Sequence, residues 1–574
     1  MRFRNGSFAW VLAALVVPSA LEAGFTQRVE FGTGATIPVA WEDADNDGDL
    51  DLAVGHFGLP LNKLFVNNGD GTFTSQNQFS SGQTFVVAWA DADNDGDPDM
   101  AVGFKNSQNK LFVNNGNGTY TSQNQFGAAG AISMAWGDFD RDGDLDLAVG
   151  NGILGAVRPN YLYVNNGDGT FTERQEFGTG QTGSLVWGDA DGDGDLDIAV
   201  GRGGFGYVGP NSLYINNGDG TFTENAEFGA GDTACLAWGD ADNDGDLDMA
   251  VGNWEAGACS LYVNDGTASF TGHAEFGDRD TNSLNWADSD NDGDLDLAVG
   301  NGDFSTADQN YLYLNNADGS FTETPEFGPG STDAVAWGDF DNDGDLDMAV
   351  GNEHTPQQNY LYVNDRNDAA YLIVHLAGRF HAMGAGFSNR DGVGANVSVY
   401  EAGFAGDPAH LLGFREIEAH GGFSAQNQMD AHFGLPGRST VDVRVVWPGS
   451  AGSHITQDMM GVAVGQRITV EETASTVAVP PRDPRLLGLL RASPNPAPSG
   501  AGVELTWSGA AIDRLDIYDV AGRIVRTIDR PADGSRRARW DGRDVQGKMV
   551  ATGLYFARAS AGENGATVRI VFVH

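Results

Sequence analysis

Nine residues, Asp43-Ala-Asp-Asn-Asp-Gly-Asp-Leu-Asp51, hold the densest chemistry in this chain, and close copies start at Asp91, Asp138, Asp189, Asp240, Asp288 and Asp339. Each copy reads Asp-x-Asp-x-Asp-Gly-Asp-x-Asp. Carboxylates at loop positions one, three, five and nine converge on one point if the backbone turns sharply at the glycine in position six, and position seven adds its carbonyl oxygen. Such an oxygen-only, multi-ligand cage suits a hard divalent cation, calcium above magnesium, because magnesium keeps more of its water. Two carboxylates about 5 Å apart repel by roughly 3 kcal/mol at an effective dielectric near 20, so a loop of this kind needs a cation to stay closed. Turns that are merely rich in Asx hydrogen bonds would account for one copy, not for seven with the glycine always in place.

The candidate metal-ligating residues are therefore Asp43, Asp45, Asp47, Asp49 and Asp51 in the first loop, and Asp91, Asp93, Asp95, Asp97 and Asp99 in the second. The third and fourth hold Asp138, Asp140, Asp142, Asp144 and Asp146, then Asp189, Asp191, Asp193, Asp195 and Asp197. The last three hold Asp240, Asp242, Asp244, Asp246 and Asp248; Asp288, Asp290, Asp292, Asp294 and Asp296; and Asp339, Asp341, Asp343, Asp345 and Asp347. The start of each loop matches an EF-hand, but it ends at position nine, where an EF-hand runs on to a glutamate at twelve. A helix-loop-helix is not expected.

The intervals of 47 to 51 residues mark repeats of one structural unit. In the fourth, Ser184–Trp187 alternates like a strand, the acidic loop follows, Ile198–Gly201 is a second strand, and Leu213–Asn217 and Thr221–Glu224 flank the hairpin signal Gly218-Asp-Gly220. Four short antiparallel strands repeated seven times predict a seven-bladed β-propeller in an all-β chain. The seventh unit lacks its last strand, and the segment from Gly24 to Gly32 parallels Thr170 to Gly178, so the N-terminal strand is expected to complete the last blade and remove free sheet edges. Tryptophan stands two residues before every loop, at Trp41, Trp89, Trp136, Trp187, Trp238, Trp286 and Trp337. Packing between blades explains seven identical copies better than sugar platforms do.

The loops that follow Ala-Val-Gly fall on the face opposite the acidic loops and vary most: 151–160, 202–211 with Phe205 and Tyr207, 253–258 with Trp254, and 301–310 with Phe304. Variation with exposed aromatics points to a partner site, and tolerated loop drift is the alternative.

The chain has 574 residues, so several domains are expected, and its formal net charge is -48. The seven loops supply 35 of the 80 acidic residues, and seven divalent cations would bring the charge to -34. What remains argues against nucleic acid and anionic membrane surfaces as partners except through a cation bridge. Residues 1–23, with Arg2, Arg4 and an apolar run from Phe8 to Val17, read as a secretory signal peptide, and no later stretch is long and apolar enough to span a bilayer. Cys235 and Cys259 are the two cysteines, and an oxidising compartment permits a disulfide if a loop brings them together.

The cadence Glu176-Phe-Gly178, the Asp189 loop and Ala199-Val-Gly201 resembles FG-GAP or VCBS repeats, also found in integrin α subunits, over about residues 24–367. The departures are slight: Ser80 replaces the glycine of Phe-Gly, and Pro98 the leucine at position eight. The resemblance implies calcium at about seven sites and binding through the opposite face. Residues 368–473, with Ser388–Ala395, Gly421–Gln426, His432–Leu435 and Val445–Gly449, resemble the ASPIC/UnbV domain of cartilage acidic protein-like chains, which implies an extracellular location. Six of the ten histidines fall here, His375, His381, His410, His420, His432 and His454, but none has zincin spacing and no Gly-x-Ser-x-Gly is present, so they read as scattered surface or core residues. Residues 474–490 are a proline-rich linker. Beyond it, Ser493–Pro496, Leu515–Arg523, Trp540–Arg543 and Ala551–Phe556 resemble a FlgD-like immunoglobulin fold and the sorting domains of type IX secretion, although the tail from Arg569 to His574 lacks the usual terminal lysine. A C-terminal β-sandwich over 491–574 is expected.

These observations predict an exported calcium-binding propeller acting in adhesion or ligand binding, with a protein or glycan at the cell surface or matrix as partner and no turnover. A calcium-dependent polysaccharide lyase or hydrolase, or a scaffold in a secretion or biosynthetic complex, are the alternatives.

Overall fold

In the computed structural model, residues 24–473 and 487–573 are described apart from short stretches, chiefly 153–157, 204–207, 255–258, 303–306, 354–357, 380–386, 450–453, 499–502, 510–513 and 530–536. Residues 1–23, expected to be a leader, and 474–486 of the expected linker lie outside the described residues, as do Phe205, Tyr207, Phe304 and His381, and the rest of that expected linker belongs to the strand Leu487–Ser493. Chain contacts divide the molecule into two compact units at 477/478.

The first unit opens with seven antiparallel four-stranded sheets, one of them extended by a short fifth strand. In the first sheet the strands run Thr36–Glu42, Asp51–His56, Lys63–Asn67 and Phe73–Gln76 from the inside outward. The innermost strand is buried on both faces, so it is written as a near-continuous apolar run such as Thr84–Ala90, TFVVAWA. The outermost strand is half wet and alternates, as in Phe73–Gln76. Each inner strand lies beside those of its two neighbours, closing a ring. The N-terminal strand Phe25–Arg28 pairs with Tyr360–Asn364 of the last sheet, Phe25 opposite Asn364, as the sequence predicts. All seven inner strands share a register shift near their start, between Thr36 and Val39 in the first and Thr84 and Val86 in the second. Such a bulge bends the strand.

The seven tryptophans are buried between sheets. Six indole N–H groups donate to a carbonyl of the preceding blade, as from Trp41 to Ala336 at 3.1 Å and from Trp89 to Ala40 at 3.3 Å. The phenylalanines of the Phe-Gly pairs fill the same seams: Phe31 packs edge-on against Trp41, and Phe177 against Trp187. These contacts make the tryptophans packing residues.

The middle domain, in the same unit, has a sheet of Ala431–Gly434, Tyr371–Ala377 and Gln466–Glu471, and a sheet of Leu411–Glu416, Asn396–Glu401, Thr440–Trp447 and Ile455–Ala463. Alternate valines, Val397 and Val399 with Val441, Val443 and Val445, close on Trp447 to form its core. The second unit has sheets of three and five strands around Leu505, Ile517, Trp540 and Tyr555. Among the described residues the only helical turn is the 3-10 segment Pro408–His410, and no helix is long and apolar enough to cross a membrane. Cys235 and Cys259 are unbridged, buried thiols, with the strand that carries Gly252 between theirs.

Candidate metal centres

Each acidic loop joins an inner strand to the second strand of its blade, and backbone geometry closes it. Position four takes a left-handed conformation, φ 59° at Asn46 and 53° at Arg141, and the position-six glycine does so again, φ 95° at Gly48. Only glycine, and after it asparagine, adopts that region at low cost. With the chain so folded, the position-one carboxylate caps the turn: Asp43 accepts the N–H groups of Asp47 at 3.0 Å and Gly48 at 2.9 Å. Position five accepts from position seven, Asp49 N–H to Asp47 at 3.0 Å. Position nine holds the base of the loop, since the Asp51 oxygens take the N–H groups of Asn67 at 2.7 Å and Ala44 at 3.1 Å.

These constraints gather carboxylates within 4.8 Å of one another: Asp43, Asp45 and Asp47; Asp91, Asp93 and Asp99; Asp138, Asp140 and Asp146; Asp189, Asp191 and Asp197; Asp240, Asp242 and Asp248; and two further groups. Burial, then the neighbouring charges, raises their pKa values. Asp51 and Asp248 are pushed up to about 8 and Asp99 to about 9, while Asp146, Asp197, Asp296 and Asp347 are raised as well. One oxygen each of Asp140 and Asp290, both at position three, is buried with no hydrogen-bond partner. Orphaned acceptors inside a carboxylate cage closed to water are what a small bare cation satisfies. The residues present fit a divalent metal.

The position-seven carboxylates do something else. Five of them are reached by the position-four asparagine of the preceding blade: Asn46 to Asp97 at 3.0 Å, Asn94 to Asp144 at 3.1 Å, Asn243 to Asp294 at 2.5 Å, Asn291 to Asp345 at 2.7 Å and Asn342 to Asp49 at 2.7 Å. Arg141 makes the same link to Asp195 as an ion pair at 2.7 Å. In the fourth loop position four is Gly192, which has no side chain to offer Asp246. A second belt runs beneath. The asparagine ending each third strand donates to the position-two carbonyl of the preceding loop, from Asn67 to Phe340 at 2.7 Å and from Asn114 to Ala44 at 3.0 Å, through to Asn364 and Ser289 at 2.9 Å. The repeated Val-Asn-Asn was the visible signal for it.

The middle domain sits on this acidic face and uses its backbone groups. Asp391 accepts the Asp91 N–H at 2.8 Å, Glu416 that of Asp189 at 3.2 Å, and Gln428 that of Asp339 at 2.9 Å; Gly434 N–H donates to Asp288 at 2.6 Å. The segment around Gln426 enters the ring: Ala425 and Gln426 pair parallel to Val39 and Ala40, and the Gln426 amide takes the Trp89 N–H at 2.7 Å and donates to its carbonyl at 3.3 Å. His420 and Asn427 accept the N–H groups of Trp187 at 3.1 Å and Trp337 at 2.9 Å. The described histidines are surface or core residues, as the sequence predicts, and three of them meet the propeller. His420 and His432 are seating residues, the latter bonded to the Gly344 carbonyl at 3.0 Å, and His454 meets Arg141 at 3.0 Å. Arg415 is half-buried beside the charges of Asp288 and Asp240.

Family models match along the chain: FG-GAP-like repeats at 43–102, 91–149, 153–200, 203–251, 240–299 and 300–350, ASPIC and UnbV at 386–477, and a FlgD Ig-like domain at 497–565. No curated protein matches at a significant level. Among solved structures, a lectin of Agrocybe aegerita that recognises non-reducing terminal N-acetylglucosamine is 18% identical over 55% of this chain and 88% of its own, with a TM-score of 0.37. PorZ, a surface component of the type IX secretion system of Porphyromonas gingivalis, is 12% identical over 94% of this chain and 81% of its own, with a TM-score of 0.22.

Proposed function

From the premise that the chain belongs to the FG-GAP-like repeat family, we propose that it is an exported calcium-binding propeller that recognises a protein or glycan at a cell surface or in the matrix, without turnover. The observation that carries this is the set of carboxylate cages with orphaned inward oxygens at Asp140 and Asp290. Calcium enters at positions one, three, five and nine of each loop, with the position-seven carbonyl. Its role is to hold the blades and the domain seated on them. Within this unit the acidic face is occupied by the middle domain, which leaves the rim of loops after Ala-Val-Gly for recognition. Outside a cell millimolar calcium fills sites with dissociation constants of about 0.1 to 1 mM.

Two measurements test the reading. Equilibrium dialysis with radioactive calcium gives a stoichiometry near seven, falling by one when Asp140→Asn and Asp146→Asn are combined in the third loop. Retention of the protein on immobilised glycans or surface extracts falls when calcium is chelated and returns when it is restored. A stoichiometry near zero, or retention indifferent to chelation, overturns it.

A further inference from the structure

A cavity of about 400 Å³ lies between the first blade and the middle domain, lined by Glu42, Asp391, His375, Asp430 and Arg467 with Leu50, Leu376 and Met429 as apolar walls. Its most telling residue is Glu42. The equivalent position, directly after the tryptophan, is Ala90, Gly137, Gly188, Gly239, Ala287 and Gly338 in the other blades. At the four glycines a Cβ would press on the next blade's tryptophan ring, so the fold favours the smallest residue here. A glutamate at this junction is a departure that blade packing does not ask for.

The charges around it do not cancel. Asp430 is saturated, bonded to His375 Nδ1 at 2.8 Å and to Arg467 at 2.7 Å. It orients the imidazole through Nδ1 and holds the Arg467 guanidinium, which also reaches Asn342 at 3.4 Å. Glu42 takes the Asp43 N–H at 3.1 Å and Asp391 the Asp91 N–H at 2.8 Å, and neither makes an ion pair among the described residues. The cavity therefore offers Glu42 and Asp391 beside the loop carboxylate Asp43, an oriented imidazole and a hydrocarbon wall, and the one guanidinium in its lining, that of Arg467, is held by Asp430. A bare metal ion would leave most of that volume empty.

We infer that this cavity binds a primary alkylammonium group, with the ammonium between Glu42 and Asp391 and its carbon chain along Leu50, Leu376 and Met429. Charge-assisted hydrogen bonds to these half-buried carboxylates supply the affinity, and the apolar wall selects an organic cation over a hydrated ion. The site is independent of whatever the opposite rim recognises.

The test is titration calorimetry on the full chain saturated with calcium, using 1,4-diaminobutane, Nα-acetyl-lysinamide and, as the uncharged control, butan-1-ol. Either amine binds and butanol does not; the tighter of the two amines tells whether a free diamine or a lysine side chain is the source. Glu42→Gln and Glu42→Ala each weaken binding about tenfold or more, as loss of a hydrogen bond to a charged group implies. Alanine is the residue two other blades carry there, so the variant is expected to melt with the parent. No heat with either amine at millimolar concentration, equal binding by the parent and Glu42→Gln, or displacement of the amine by further calcium overturns the inference.

Discussion

Chelating the metal at neutral pH should unseat the middle domain and loosen the ring in one transition. Each cage described above holds three ligand oxygens within 4.8 Å of one another. At that spacing a pair of carboxylates repels by roughly 3.5 kcal/mol at an effective dielectric near 20, or about 10 kcal/mol for three pairs. Without a cation the loop escapes by taking up protons or by opening, and opening displaces the N–H groups of Asp91, Asp189 and Asp339 on which Asp391, Glu416 and Gln428 rest. From the other side, filling seven sites of 0.1 to 1 mM affinity at 1 mM calcium contributes about 3 to 10 kcal/mol by mass action. At about 2 cal/mol/K per residue, a unit of roughly 450 residues shifts near 1 °C per kcal/mol, so excess EDTA should lower the melting temperature by about 3 to 10 °C. Scanning fluorimetry on the buried tryptophans reads the shift, and hydrogen exchange reads the N–H groups of Trp89, Trp187 and Trp337, which should lose protection together. An unchanged melting curve in EDTA, or blades that lose protection while those three amides keep theirs, would refute the coupling.

Two further outcomes follow from particular side chains. Gly192→Asn should raise the melting temperature by about 1 °C: Gly192 has φ 68°, which asparagine tolerates, its added Cβ meets nothing closer than 3.7 Å, and the new amide can give Asp246 the inter-blade link the other loops have. A fall in the melting temperature would show that the link contributes nothing. Asp333 and Glu353 are buried against each other; burial, then the partner's charge, raises Asp333, and burial pushes Glu353 up to about 7, with Lys105 acting against the rise. Both pKa values are raised, so the folded state holds protons the unfolded state releases, and stability is lost as pH climbs from about 4.5 through about 7. In calcium-saturated protein between pH 6 and 8.5, Glu353→Gln should flatten that decline, and a melting profile identical to the parent's would exclude the pair as its source.

The repeat was legible because the residues that define it are local: the aspartates, the position-six glycine and the tryptophan recur at one interval, and the strand at Phe25–Arg28 echoes Phe171–Arg174. The position-four asparagine was also visible but signalled two things at once. Its tolerance of a left-handed backbone is a property of the residue, whereas its bond to the next blade's position seven depends on the ring closing. The seat of the middle domain was not legible for a further reason. It is built on main-chain N–H groups of Trp89, Trp187, Trp337, Asp91, Asp189 and Asp339, and a main-chain donor leaves no mark in a sequence. On the domain's side the marks were ordinary residues, Gln426, Asn427, Gln428 and His420, whose contacts only the assembled unit reveals.

The two belts give the metal loops a direction. Position four of one loop holds position seven of the next, so a cation that orders the fifth loop presents Asn243 to Asp294 in the sixth, and the relay runs on through the seventh, first, second and third loops to Asp195 in the fourth. It stops there, because Gly192 extends nothing to Asp246. The deeper belt of strand-end asparagines is unbroken, including from Asn264 to Ala190 across that same boundary. The blades are therefore tied in a closed circle while the cages are linked as an open chain. With a cation in each cage, binding is expected to be cooperative along the six links, and the boundary between the fourth and fifth loops should lose hydrogen-exchange protection first as calcium is lowered; equal loss at all seven boundaries would refute this.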